Sequence, residues 1–83
     1  MTYEIVWDEH AINAAVRFLK DDADGLRLVM DAVDLLAVDP RPAGSAEYGS
    51  PDLRRMHAGR YRVMYEITDN TVTVVVIHLG RTT

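Results

Sequence analysis

Apolar and polar positions change period twice along the chain, and those changes divide it into elements. Tyr3, Ile5 and Trp7 alternate with Glu4 and Val6, the two-residue repeat of a short strand. Ile12, Ala15, Val16 and Leu19 then recur at helical spacing. Asp8 ahead of them suits an N-cap, and Glu9 is a first-turn acid that the helix dipole favours. The spacing predicts a helix over residues 9–20, broken by Asp21-Asp22-Ala23-Asp24-Gly25. A second helix is expected behind Asp24 as its cap, burying Leu26, Val29, Met30, Val33, Leu36 and Ala37. Pro40 and Pro42 end it, because proline cannot continue the hydrogen-bond ladder and restricts the residue before it. Residues 41–51, rich in Pro, Gly and Ser, read as a loop.

Beyond the loop the period returns to two. Leu53–His57 reads as a short strand, Ala58-Gly59 as a hairpin turn, and Tyr61, Val63, Tyr65 and Ile67 as the apolar face of the next strand. Asp69-Asn70 is expected to turn the chain into a last strand with Val72, Val74 and Val76 inward. The predicted order is β-α-α-β-β-β. That is an α+β domain spanning 1–83, with two N-terminal helices packed on one face of a small, largely antiparallel sheet.

Composition narrows the chemistry. The 83 residues include no cysteine, which excludes disulfides, cysteine zinc sites and thiol nucleophiles. The start of the chain lacks a basic region followed by an apolar stretch, and apolar runs such as Val74–Ile77 are far too short to span a bilayer. A cytoplasmic protein with no membrane contact is expected. The net charge of −4 hides an asymmetry. Residues 1–52 carry eleven acids against four bases, whereas residues 53–83 carry five arginines against two acids. An anionic ligand is therefore expected to meet the C-terminal half.

A turn at Ala58-Gly59 would set His57 opposite Arg60 and Arg55 opposite Arg62. Strand alternation then puts Leu53, Arg55, His57, Arg60, Arg62 and Met64 on one face, with Met56, Tyr61, Val63 and Tyr65 on the other. Arg54 falls on the apolar face, where a bulge or an exposed edge would be needed to accommodate it. Like charges opposite one another in a sheet are destabilising by roughly 0.2–1 kcal/mol. A bound anion reverses that cost, and the arginine fork suits phosphate. The residues alone leave two readings open: solvated charges on an open face with Glu66 as a partner, or a phosphate site. His57 is likewise either a polar surface residue or a general acid or base. His10 and His78 read as structural, Tyr61 and Tyr65 as core, and Tyr48 as a loop aromatic able to stack on a base. No metal-ligand spacing and no Ser/His/Asp triad is legible, so neither a metal nor another cofactor is expected.

Three segments carry a family resemblance: Asp39-Pro40-Arg41-Pro42-Ala43-Gly44, the stretch Leu53–Ile67 with Gly59-Arg60-Tyr61-Arg62-Val63-Met64-Tyr65 at its centre, and His78-Leu79-Gly80-Arg81. The chain resembles RelE/ParE toxins of type II toxin–antitoxin systems, the RelE branch in particular. The resemblance implies a metal-independent endoribonuclease that cuts mRNA in the ribosomal A site and inhibits translation. The 2′-hydroxyl attacks the adjacent phosphate while basic side chains position and stabilise it. Carried over by position, Arg62 would grip the scissile phosphate, and Arg55 and His57 match two basic positions on the preceding strand, His57 for proton transfer. Arg81 would stabilise the phosphate or leaving group. Arg55, Arg60, Arg62, Arg81 and Tyr48 form the expected RNA-binding set. The implied partners are mRNA on the ribosome and a cognate antitoxin, RelB-like or similar, in a hetero-oligomer. Two alternatives follow from the same resemblance: a ParE-like inhibitor of DNA gyrase, and a degenerate toxin serving as an antitoxin-binding corepressor.

Overall fold

The computed structural model describes residues 2–82. Strand β1 (Glu4–Trp7) leads into helices α1 (Glu9–Asp21) and α2 (Ala23–Leu35). Four strands follow: β2 (Ala46–Ser50), β3 (Leu53–Ala58), β4 (Tyr61–Thr68) and β5 (Thr73–Arg81). They form one five-stranded sheet in the order β1-β5-β4-β3-β2. β1 runs parallel to β5 and every other pairing is antiparallel. The helices cover one face, where Tyr61, Val63, Tyr65, Val74 and Val76 are fully buried beneath Val29 and Val33. No helix among the described residues is long and apolar enough to cross a membrane.

The order departs from the expected β-α-α-β-β-β by one strand, β2, within the segment read as a loop. Every residue of β2 is exposed. A strand with neither face buried has no alternation of polarity to betray it. It covers the edge of β3 through Ala46–Arg55 and Glu47–Arg54 pairing. That edge also settles Arg54, whose Nε donates to Ser45 Oγ at 2.9 Å while a terminal nitrogen reaches the Ser45 carbonyl at 3.3 Å.

Caps and turns shifted as well. Asp22, not Asp24, caps α2, accepting from the Gly25 amide at 3.1 Å. Asp8 caps α1 as expected, accepting from the Ala11 amide at 3.0 Å. The β3–β4 turn is Gly59-Arg60, because Ala58 pairs with Tyr61. Gly59 takes φ +62°, the left-handed value that the first position of a tight hairpin turn requires. The β4–β5 turn is longer than Asp69-Asn70. Thr68 pairs with Thr73, a 3₁₀ turn covers Asp69–Thr71, and Val72 closes it at φ +52°. In α1 the small residues Ala11 and Ala14 face the sheet, leaving Ile12, Val16 and Leu19 about half exposed. Met30 of α2 is also exposed, at 42%.

Two polar networks tie the elements together. Asp22 also accepts from the Tyr61 hydroxyl at 2.9 Å and from Arg60 at 3.2 Å. These bonds, the tyrosine's foremost, hold its carboxyl below the ordinary aspartate value of 3.8. Asp69 accepts from the Tyr3 hydroxyl at 2.8 Å and pairs with Arg41, which also binds Asp52 at 2.9 Å. Asp69 is thereby depressed, and the Tyr3 phenol is raised above 10.0, chiefly by that same hydrogen bond. The signs give two pH limits. Depressed carboxylates contribute stability that is full above their unfolded value and lost as pH falls through the folded one. The raised phenol contributes stability that is full below its unfolded value and lost as pH rises through the folded one. Melting temperature should therefore be level near neutrality, fall below about pH 4 and fall again above about pH 10. Thermal melts across that range check this. Asp69→Asn should flatten part of the acid limb, and Tyr3→Phe part of the alkaline one.

Candidate phosphate-binding face

The helix-free face of the sheet carries the cationic cluster. The turn at Gly59-Arg60 moves the β3–β4 pairing by two residues in sum, which preserves the parity of every position. Arg55, His57, Arg62 and Met64 therefore share the open face as expected, with altered partners: His57 lies opposite Arg62 and Arg55 opposite Met64. Arg55 and Arg62 become diagonal neighbours, about 7–8 Å apart at their Cα atoms. Flexible arginine stems from that spacing can converge on one phosphate. His57 and Arg62 are exposed, and among the described residues no acceptor engages the Arg62 guanidinium.

The added strand β2 brings Tyr48 to the same face. The Arg55 guanidinium lies over the Tyr48 ring, 5.4 Å from its centroid, so cation and aromatic form one platform. Half of Tyr48 remains exposed, which leaves ring surface for a base.

Two residues of the expected set lie elsewhere. Arg60 occupies the turn and pairs with Asp22 on the helix side. Arg81 lies across from Tyr61, whose side chain is core. Its guanidinium binds Asp21 of α1 at 2.7 Å and sits over the Phe18 ring at 4.8 Å. That contact staples the last strand to α1, and the pairing with Asp21 raises the Arg81 pKa. The structure thus joins Arg55, His57, Arg62 and Tyr48, and ties Arg60 and Arg81 to helix carboxylates.

His78, which the sequence reads as structural, faces outward. Tyr65 pairs with Val76, yet Met64 pairs with His78, so Ile77 is an extra residue in β5. This bulge reverses the alternation beyond it. Val74, Val76 and Leu79 are buried while His78 is exposed beside Arg62. Arg62, His78, Gly80, Arg81 and Thr82 line a cleft of about 270 Å³ there. Strict alternation along Val72–His78 hid it, since nothing in an all-apolar run marks an inserted residue. Among the described residues no group of three or more His, Asp or Glu side chains is arranged to hold a metal ion.

Comparison with known structures places this architecture. RelE of the archaeal RelE–RelB complex from Pyrococcus horikoshii OT3 is 24% identical over 99% of this chain and 97% of its own, with a TM-score of 0.78. The isolated E. coli RelE toxin is 24% identical, covering 98% and 85%, with a TM-score of 0.80. The RelBE2 toxin–antitoxin complex of Mycobacterium tuberculosis aligns over 98% of this chain and 92% of its own at 18% identity and TM-score 0.79. At such identities the likeness defines the class: a small α+β domain with the RelE toxin fold. A search of curated proteins by sequence returned no match. The model of one family, the ParE toxin of the type II toxin–antitoxin system parDE, matches residues 5–83. The chain belongs to that ParE toxin family, within the RelE/ParE superfamily.

Proposed function

We propose that this toxin is a ribosome-dependent endoribonuclease that cuts mRNA in the A site without a metal and so inhibits translation. The carrying observation is the juxtaposition of Arg62 and His57 on an open sheet face, flanked by the Arg55–Tyr48 platform. Arg62 grips the scissile phosphate and offsets the charge that develops on its oxygens. His57, directly opposite, is within reach of the 2′-hydroxyl of a nucleotide whose phosphate sits on Arg62. The Arg55–Tyr48 pair stacks a base and fixes the register of the strand. The chain itself is acidic overall, so the ribosome supplies much of the work of presenting mRNA. Purified protein added to programmed ribosomes should cut mRNA in the A site, and mRNA left intact would overturn the reading.

A second reading is favoured by the family match and by the pairing of the Arg81 guanidinium with Asp21 of α1. On it the protein is a gyrase poison, and gyrase-dependent DNA breaks with intact mRNA would establish it.

The partner in either case is an antitoxin, as in the RelE–RelB and RelBE2 complexes whose toxins share this fold. Its seat is the apolar groove of about 340 Å³ along the helices, lined by Trp7, Ile12, Val16, Leu19, Leu26 and Met30. An amphipathic helix fits such a groove through its apolar stripe. The acidic N-terminal half makes apolar contacts, not charge, the main source of affinity. Val16→Asp or Leu19→Asp should weaken antitoxin binding about 30-fold or more at a smaller cost in melting temperature, because each side chain is only about half buried. Calorimetric titration with the antitoxin checks this.

A further inference from the structure

The cleft beside Arg62 holds a histidine that the reading above does not use. The bulge at Ile77 turns His78 outward, and its imidazole leans along the strand toward Gly80. A Cβ placed on Gly80 would lie 3.1 Å from His78 Nε2. The tip of His78 therefore occupies the space that a side chain at position 80 would fill. Gly80 is the residue opposite Arg62 on β5, and His57 is the residue opposite Arg62 on β3. Positions 57, 62 and 80, the last filled by the tip of His78, consequently form one row across three strands. Neighbouring strands lie about 4.8 Å apart, so the row spans about 10 Å. That is the scale of an in-line phosphoryl-transfer centre with a hydrogen bond of about 2.8 Å at each end.

The charged and titratable neighbours of this histidine are few. His10 of α1 stacks on the His78 ring at 6.2 Å between centroids, nearly parallel. Arg62 approaches from β4, and Arg81, also lining the cleft, is paired with Asp21. No carboxylate among the described residues hydrogen-bonds His78, and its ring stacks on His10 while its tip fills the side-chain space left open at Gly80.

Resting on the nuclease reading, we infer that His57 and His78 are an acid–base pair acting across the phosphate held by Arg62, with His78 the general acid. The polarity follows from the platform. Arg55 and Tyr48 lie on the β2–β3 side, so the stacked nucleotide presents its 2′-hydroxyl to His57. The leaving 5′-oxygen then points toward β5. Neutral His57 takes the 2′-hydroxyl proton as the 2′-oxygen bonds to phosphorus. The bond from phosphorus to the 5′-oxygen breaks, and that oxygen takes a proton from the His78 imidazolium. The products are a 2′,3′-cyclic phosphate and a 5′-hydroxyl, and exchange with water resets both rings.

A leaving group that needs no proton isolates the acid. On programmed ribosomes, mRNA with an ordinary linkage at the scissile position is compared with mRNA carrying sulfur in place of the leaving 5′-oxygen. His78→Ala should cut the ordinary linkage about 100-fold more slowly than wild type, and should return to within a few-fold of wild type on the sulfur linkage. His57→Ala should stay slow on both. Gly80→Ala, which crowds the imidazole, should behave as a milder His78→Ala. Wild-type rates for His78→Ala on the ordinary linkage, or equal slowing on both linkages, would overturn the role of His78 alone. A wild-type protein that cuts neither linkage would overturn the nuclease reading and this inference with it.

Discussion

Arg62→Ala should abolish most cleavage while leaving the fold intact. The side chain is exposed and bonds to no acceptor among the described residues, so its removal costs no packing and leaves no buried group unpaired. Its loss falls on the transition state, where charge accumulates on the phosphate oxygens. Removal of one preorganised donor from such a centre typically lowers kcat by about 10²–10³-fold. Arg62→Lys separates charge from shape. It keeps a cation but loses the planar fork, and should recover only part of the rate. Thermal melts of both variants should overlay wild type, and single-turnover cleavage on ribosomes should rank them wild type, Lys, Ala. The growth arrest caused by induced expression should follow the same order.

The largest effect on stability is expected at Tyr65. Its ring is fully buried at the centre of β4, and its hydroxyl donates to the Pro40 carbonyl at 2.7 Å. That bond holds the end of the helical half against the sheet, since Pro40 opens the connection to β2. Truncation to alanine removes a large aromatic from the core and leaves the carbonyl without its donor. Comparable aromatic truncations cost about 3–5 kcal/mol. A domain of 83 residues has about 4–12 kcal/mol to lose at usual per-residue stabilities. Tyr65→Ala should therefore be largely unfolded at 37 °C unless the antitoxin rescues it by mass action. Tyr65→Phe keeps the packing and loses the hydrogen bond, for about 1–3 kcal/mol. Chemical denaturation of the two variants separates the contributions.

What the sequence made legible follows from where each signal comes from. Both helices, the three C-terminal strands and the inward set of Tyr61, Val63, Tyr65 and Ile67 were readable, because burial of one face imposes a period. Strand β2 was not, because it buries neither face. The open face itself survived an error in the turn, since a two-residue change in pairing leaves each side chain on its own side of the sheet. The partners did not survive it: Arg62 faces His57 instead of Arg55. Arg60 was misplaced for a different reason, which also left the pairing of Arg81 with Asp21 unforeseen. Charge type says nothing of which carboxylate a side chain reaches, and Asp21 and Asp22 sit at the junction of the helices, close to the ends of β4 and β5. His78 was hidden by a bulge inside an apolar strand, where register depends on packing and not on any residue visible in the run.

The groove proposed to seat the antitoxin has a similar origin. The apolar stripe of α1 is wider than the sheet can cover, so the small side chains Ala11 and Ala14 turn inward and the larger ones are left outside. A stripe too wide for its own core is the sequence signature of a second surface to be buried.

Mapping mRNA 5′ ends on translating ribosomes after brief induction of wild type and Arg62→Ala tests directly whether the protein cuts mRNA through Arg62. New ends should cluster at A-site positions with wild type and disappear with Arg62→Ala at equal protein level. Growth arrest with no new ends, or A-site ends that persist in Arg62→Ala, would contradict cleavage through Arg62.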